Sequence, residues 1–302
     1  MSFNTIQTVP GIFLCLISLI QLQAQPTEAC RWVRANGKTV SFDQVVAACK
    51  TADVVFLGEH HNNPIVHWQH TRLLKALAKE LPGLSLGMEM FERDQQPALD
   101  SVILGGWSLK RFADSTRVWP NYATDYAPMI KFCRDHGIRV WATNVPRTYP
   151  RLVARNGLMA LPDAPDFNPE HAAPLPIVVD YSLPSYQQML EMMAGHGMGT
   201  DSLQARQFVQ AQAIKDATMA HVIGQNHARH RPLLHVNGTY HSDYFEGIVW
   251  YLRRNHPNLK VVVLSTQETT PNLSDWKPAS KTTTRRLADY ILLVPEDMTK
   301  TY

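Results

Sequence analysis

The sequence predicts an α/β fold, with a mostly parallel central sheet flanked by helices and an irregular or helical lid insertion around residues 156–204. Short runs of β-forming apolar residues recur along the chain, and helical patterns lie between most of them. A parallel neighbour needs a crossover long enough to hold a helix, so this alternation selects a parallel sheet. The stretch from 156 to 200 breaks the rhythm, because it is rich in Pro, Gly and Met and carries Pro174, Pro176 and Pro184.

The chain has 302 residues, of which 45% are hydrophobic and 18% charged, and no Gly/Ser-rich linker or charge run divides it. Residues 25–302 therefore read as one domain large enough to bury a core. The net charge of +3 is small and the Lys and Arg residues are scattered, which argues against nucleic acid as a partner. Residues 1–24 differ in kind. Gly11 to Leu22 is almost wholly apolar and is followed by Leu22, Gln23 and Ala24, a passable cleavage site, so they read as a signal peptide. The run is short for a bilayer span, and a retained anchor is the alternative. Leu14 before Cys15 is not the small residue of a lipobox, so membrane attachment has no support beyond this segment. The expected location is the periplasm or cell envelope. Of the cysteines past residue 24, Cys30 and Cys49 could pair, and unpaired thiols are an equal expectation for these two and Cys133.

The first strand is expected over residues 53–57, ending at Gly58. Asn63 should cap the helix after it and Pro64 open it, while Leu73, Leu74, Leu77 and Leu81 share a face. Further strands are expected over 84–90, 138–143, 233–236, 260–264 and 290–294, and a helix over 205–229 carries Gln212 and Asp216 one turn apart.

Ligands of such folds gather beyond the carboxyl ends of the strands. Those ends carry Glu59, His60 and His61 after the first strand, Glu89 and Glu92 with Arg93 after the second, Asn144 after the third, and Tyr240 and His241 after the fourth. Two separated G-x-x-H turns, Gly58 to His61 and Gly238 to His241, stand out, and their glycines suggest positive φ. His61 and His241 could reach one divalent transition metal from separate loops, with a carboxylate from Glu59 or Glu89 completing a mixed nitrogen and oxygen shell and a remaining water activated, which makes Glu59 and Glu89 the catalytic candidates. Glu89, set between Met88 and Met90, is costly to bury unless it meets a metal, another cation or Arg93. Glu92, Arg93, Asn144 and Asp216 are expected to line the site. His67, His70, His136, His227 and His230 read as helix-surface or loop residues. A tyrosine could instead ligate ferric haem, and the Met189, Met192, Met193 and Met198 run could wall an apolar cofactor. No nucleophile elbow, phosphate loop or dinucleotide fingerprint is present.

Residues 57–64 (LGEHHNNP), 89–93 (EMFER), 142–147 (ATNVPR) and 237–241 (NGTYH), with the helix carrying Asp216, Met219 and Ala220, occur in an order that resembles the ChaN family of the haem-binding uptake and Tiki superfamily. The resemblance implies a cell-envelope protein of iron acquisition that binds haem in a homodimer through a tyrosine. Tyr126 and Tyr122 are the candidates taken for that ligand. Tiki proteins, by the same resemblance, imply a metal-dependent protease using paired G-x-x-H histidines and acids, matched here by His61, His241, Glu59 and Glu89, with a peptide or small molecule as substrate. Three functions are thus carried forward: an exported haem-binding protein for iron or haem uptake, a metal-dependent hydrolase, and a noncatalytic envelope interaction protein.

Overall fold

The computed structural model describes residues 28–195, 199–200, 202–228, 231–278 and 285–302. The signal-peptide expectation for residues 1–24, and Cys15 with it, lies outside these residues, as does Met198 of the methionine run.

The described chain runs β1 (Arg31–Arg34), α1 (Phe42–Cys49), β2 (Val54–Glu59), α2 (Pro64–Ala78), β3 (Ser85–Glu92), α3 (Gln96–Ile103), α4 (Leu109–Ser115), α5 (Ala127–Asp135), β4 (Arg139–Asn144) and α6 (Thr148–Asn156). It continues through α7 (Pro184–Gly195), α8 (Leu203–Asn226), β5 (Leu233–Gly238), α9 (Ile248–Asn255), β6 (Val261–Thr269) and β7 (Tyr290–Pro295). The strands form one seven-stranded sheet in the order β1-β7-β6-β2-β5-β3-β4. All its pairings are parallel except β1 with β7, where Arg31 faces Leu293 and Arg34 faces Tyr290. The expected fold class is what is found, and all six expected strands are present. β1 is the addition.

Local chemistry sets the boundaries. Asn63 caps α2 by accepting from the backbone N–H groups of Ile65 and Val66, with Pro64 at the first helical position. Ser41 and Gln44 close a reciprocal capping box on α1. Because side chains alternate across a strand, Val55 and Leu57 of β2 face one side of the sheet and Val54 and Phe56 the other. The first side is covered by α1, α2, α3 and α5, the second by α7, α8 and α9. Leu73, Leu74 and Leu77 of α2 are fully buried there, each contributing about 2 kcal/mol.

The stretch between β4 and α8 is part helical, with α6, short 3-10 turns and α7, as the lid expectation has it. Cys30, Cys49 and Cys133 are free thiols, so the Cys30–Cys49 pairing is not formed. Among the described residues no helix is long and apolar enough to cross a membrane.

Candidate functional site

Four adjacent parallel strands, β2, β5, β3 and β4, bring their carboxyl ends to one edge. Glu59 on β2 pairs in register with Gly238 on β5, so the two G-x-x-H segments leave the sheet side by side. The glycines serve close approach and not a left-handed backbone, which corrects the expectation of positive φ. Gly238 has φ −59°, and a Cβ there would lie 2.8 Å from His61 Nε2; one on Gly58 would lie 3.0 Å from the Leu264 carbonyl oxygen. An irregularity in β3 supplies the acids. Met88 pairs with Ala142 but Glu92 pairs with Asn144, so β3 bulges just where Glu89 departs.

Glu59 is buried and anchors the β2 side. Its Oε1 receives Tyr126 Oη at 2.6 Å and His61 Nδ1 at 3.0 Å, while His67 Nδ1 and His70 Nδ1 lie 3.3 and 3.6 Å from Oε2. Burial alone would raise this carboxyl, but the three histidines outweigh it and hold Glu59 well below the usual carboxylate range. The same carboxylate lifts His61 and His67 above the ordinary histidine value against their own burial. His70 goes down, because its burial dominates.

His241 organises the other half. Its Nδ1 donates to Asp216 Oδ1 at 2.5 Å, and its Nε2 pairs with Glu89 Oε1 at 3.1 Å. Burial opposes protonation, yet the two carboxylates together push His241 up to about 10. Glu89 goes down to about 2, burial again being outweighed by His241 and aided by the Gly238 N–H at 2.8 Å. Asp216 also receives Tyr186 Oη at 2.9 Å, and burial lifts it in spite of His241. His241 is therefore an imidazolium with a carboxylate on each nitrogen.

His61, Gln212, His241 and Tyr302 stand at the junction of two cavities of about 730 and 410 Å³, bordering both. The larger has an apolar side that includes Met90, Val118, Trp119, Val145 and Phe208, and of the described members of the methionine run Met189 reaches it. The Trp119 ring meets His61 edge-on at 4.7 Å between centroids.

Of the residues expected at the site, Glu59, His61, Glu89, Asp216 and His241 come together. Glu92 and Asn144 border the larger cavity. Glu92 is held by Arg117 and Arg147. Arg93 turns away and donates to the Ala142 carbonyl, so the partner of Glu89 is His241 and not Arg93. Tyr122 and Tyr126 are both buried. They begin and end one π-helical turn that points both into the interior, Tyr122 against Phe91 and Phe112, Tyr126 against Glu59, and neither borders either cavity. His67 and His70 are buried and not on a helix surface. The sequence carries the signal: His70, Leu74 and Leu77 share the buried face of α2 at helical spacing. Tyr302 and Tyr186 had no comparable signal. Among the described residues, no three His, Cys, Asp or Glu side chains are grouped so as to enclose a metal ion.

A family described as haem-binding uptake, Tiki superfamily, ChaN has a sequence model that matches residues 45–252. No curated protein matches the chain. Among solved structures it is similar to ChaN of Campylobacter jejuni, described with cofacial heme binding, at 18% identity and TM-score 0.64, over 88% of this chain and 96% of that one. It also shows weaker likeness to a Bacillus cereus protein, at 11% identity and TM-score 0.46 over 85% and 92%. The type III effector HopBA1 stands at 13% identity and TM-score 0.47 over 85% and 94%. At these identities the likeness is one of fold.

Proposed function

Since the chain belongs to the ChaN family of the haem-binding uptake, Tiki superfamily, we propose that it binds haem in the larger cavity, with His61 as the protein ligand to the iron. The observation that carries this is the Glu59–His61 pair at the end of an apolar-walled cavity of about 730 Å³. A haem-ligating imidazole needs one nitrogen fixed by an acceptor and the other free, and the acceptor makes the free nitrogen more basic. His61 Nδ1 is engaged by Glu59, and the ring borders the cavity. The apolar side suits the face of a macrocycle. Tyr302, which borders the same cavity, is the tyrosine in reach. When bound, the haem supplies an iron centre; the residues of this chain hold, orient and shield it.

Titrating haemin into the protein should give a saturable Soret shift, lost or moved in His61→Ala and retained in Tyr302→Phe. No saturable shift sinks haem binding. A spectrum changed only by Tyr302→Phe transfers the ligand role to that phenol.

The divalent-metal hydrolase has less behind it. Both nitrogens of His241 are held by carboxylates, so a metal on His61 and His241 would first have to displace Glu89 or Asp216. Metal content of the purified protein, before and after His241→Ala, tests that reading; a stoichiometric transition metal lost in the variant would revive it. Failure of both haem and metal to bind would leave the noncatalytic interaction role.

The proposed setting is the periplasm or cell envelope, supported by the apolar run and the Leu22, Gln23, Ala24 sequence after it. A homodimer engaged in haem uptake completes the reading. Amino-terminal sequencing of the mature protein and its mass in solution with and without haemin test these points.

A further inference from the structure

The charged groups bordering the larger cavity do not cancel. Its acids are Glu89 and Glu92, its fixed cations Arg147, Arg151 and Lys215. Glu89 is matched by His241, and Glu92 by Arg147 together with Arg117. Arg151 and Lys215 are left over: among the described residues neither has an ion-pair or hydrogen-bond partner.

Both cations are placed by helical periodicity. On α6 and the residue that caps it, Arg147, Pro150, Arg151 and Ala154 fall at i, i+3, i+4 and i+7, and all four border the cavity. On α8, Phe208, Ala211, Gln212 and Lys215 repeat the same spacing toward the same space. The two helices pack against each other. Each thus presents a stripe that is small or apolar in part and carries an unpaired cation. Lys215 is half-buried and Arg151 exposed, so one charge sits inside the wall and the other at its rim.

A cavity with an apolar side and two spare cations selects an amphiphile whose charge is negative. We propose that Arg151 and Lys215 form an anion subsite that receives the carboxylate groups of the ligand while its apolar body lies against Trp119 and Phe208. This deepens the haem reading and rests on it for the identity of the ligand. The subsite itself stands on the cavity and its uncancelled charge. A guanidinium offers a carboxylate a two-pronged donor set and an ammonium a point charge, so the pair suits two carboxylates or one delocalised anion.

The test uses two fluorescent probes with the same aromatic body, 8-anilinonaphthalene-1-sulfonate and the uncharged N-phenyl-1-naphthylamine, on the full chain. The anionic probe should bind at least about tenfold more tightly, the scale of a charge-assisted hydrogen bond at a partly wet site, with a preference that weakens as salt is added. Arg151→Gln with Lys215→Gln should abolish the preference and leave the neutral probe bound. Arg155→Gln, one turn further along α6 and outside the cavity lining, should keep it. Equal binding of the two probes to the unmodified chain, or a preference that survives the double substitution, overturns the subsite. Haemin should displace both probes. If it displaces neither while the charge preference holds, the haem reading fails and the anion subsite remains; if it displaces them equally well from the double variant, haem stands and the subsite falls.

Discussion

Tyr126 Oη and His61 Nδ1 converge on one oxygen, Glu59 Oε1, at 2.6 and 3.0 Å. Tyr126, one of the two tyrosines put forward for the iron by the family resemblance, donates here to the carboxylate behind His61.

Removing that donor separates the two roles. Tyr126→Phe should lower stability by about 1–2 kcal/mol, because a buried carboxylate oxygen loses a bond with no water to replace it, while the Soret band of haemin-loaded protein stays. Urea unfolding and the absorption spectrum are the two readouts. A lost band with unchanged stability would restore the tyrosine as ligand.

The Glu89–His241–Asp216 cluster predicts a stability plateau at mildly acid pH. His241 is raised from 6.5 to about 10, so its contribution is complete below 6.5 and lost as pH climbs toward 10. Glu89 is lowered from 4.5 to about 2, so its contribution is present above 4.5 and lost as pH falls toward 2. Both limbs report the same ion pair. The thermal midpoint should fall on either side of that window, and His241→Asn should flatten the alkaline limb. An alkaline limb as steep in the variant as in the parent would show that other groups cause it.

Gly238→Ala probes closeness without touching a charged group. The new Cβ would meet His61 Nε2 at 2.8 Å and Cε1 at 2.9 Å. These are atoms at the end of a movable ring, so the fold should survive with a shift in midpoint of only a few degrees while haemin affinity drops by about tenfold or more. Retained affinity would mean that the position of His61 is not critical.

Asp243 should act in the opposite sense to Glu59 and Glu89. Its Oδ1 is buried without a hydrogen-bond partner, and burial raises the group to about 7, with the nearby Ser265 hydroxyl pulling the other way. A carboxyl raised in the fold costs stability above about 7, and the cost is relieved as pH falls toward its ordinary 3.8. Asp243→Asn should therefore stabilise at pH 8 and do little near pH 4. Equal effects at both values would refute the assignment.

The strands were legible because those buried on both faces read as unbroken apolar runs; β2 and β7 are buried at every position. β1 was not, since only Trp32 and Val33 of its four residues are buried, with arginines at both ends. The cap of α2 was legible from Asn63 and Pro64 alone. His61, His241, Glu59 and Glu89 could be placed at one edge from their strand-end positions. Asp216 could be expected near them from its place on α8, but its bond to His241, the bond from Tyr186 to Asp216 and the place of Tyr302 could not, because these arise only through packing between distant segments. The glycines show the same limit. Their spacing was visible, but the reason for them, a neighbour's imidazole in one case and a carbonyl oxygen in the other, is tertiary.

The cluster of Glu59, His61, Glu89 and His241 grows from the ends of rigid, fully buried strands, whereas the cavity wall opposite comes from α6, α8 and the excursion joining β4 to α8. Insertions and exchanges in that excursion need not disturb any strand register. The architecture is therefore modular: exchanges in that one stretch of chain can change what the pocket admits while the polar centre on the strand ends keeps its geometry.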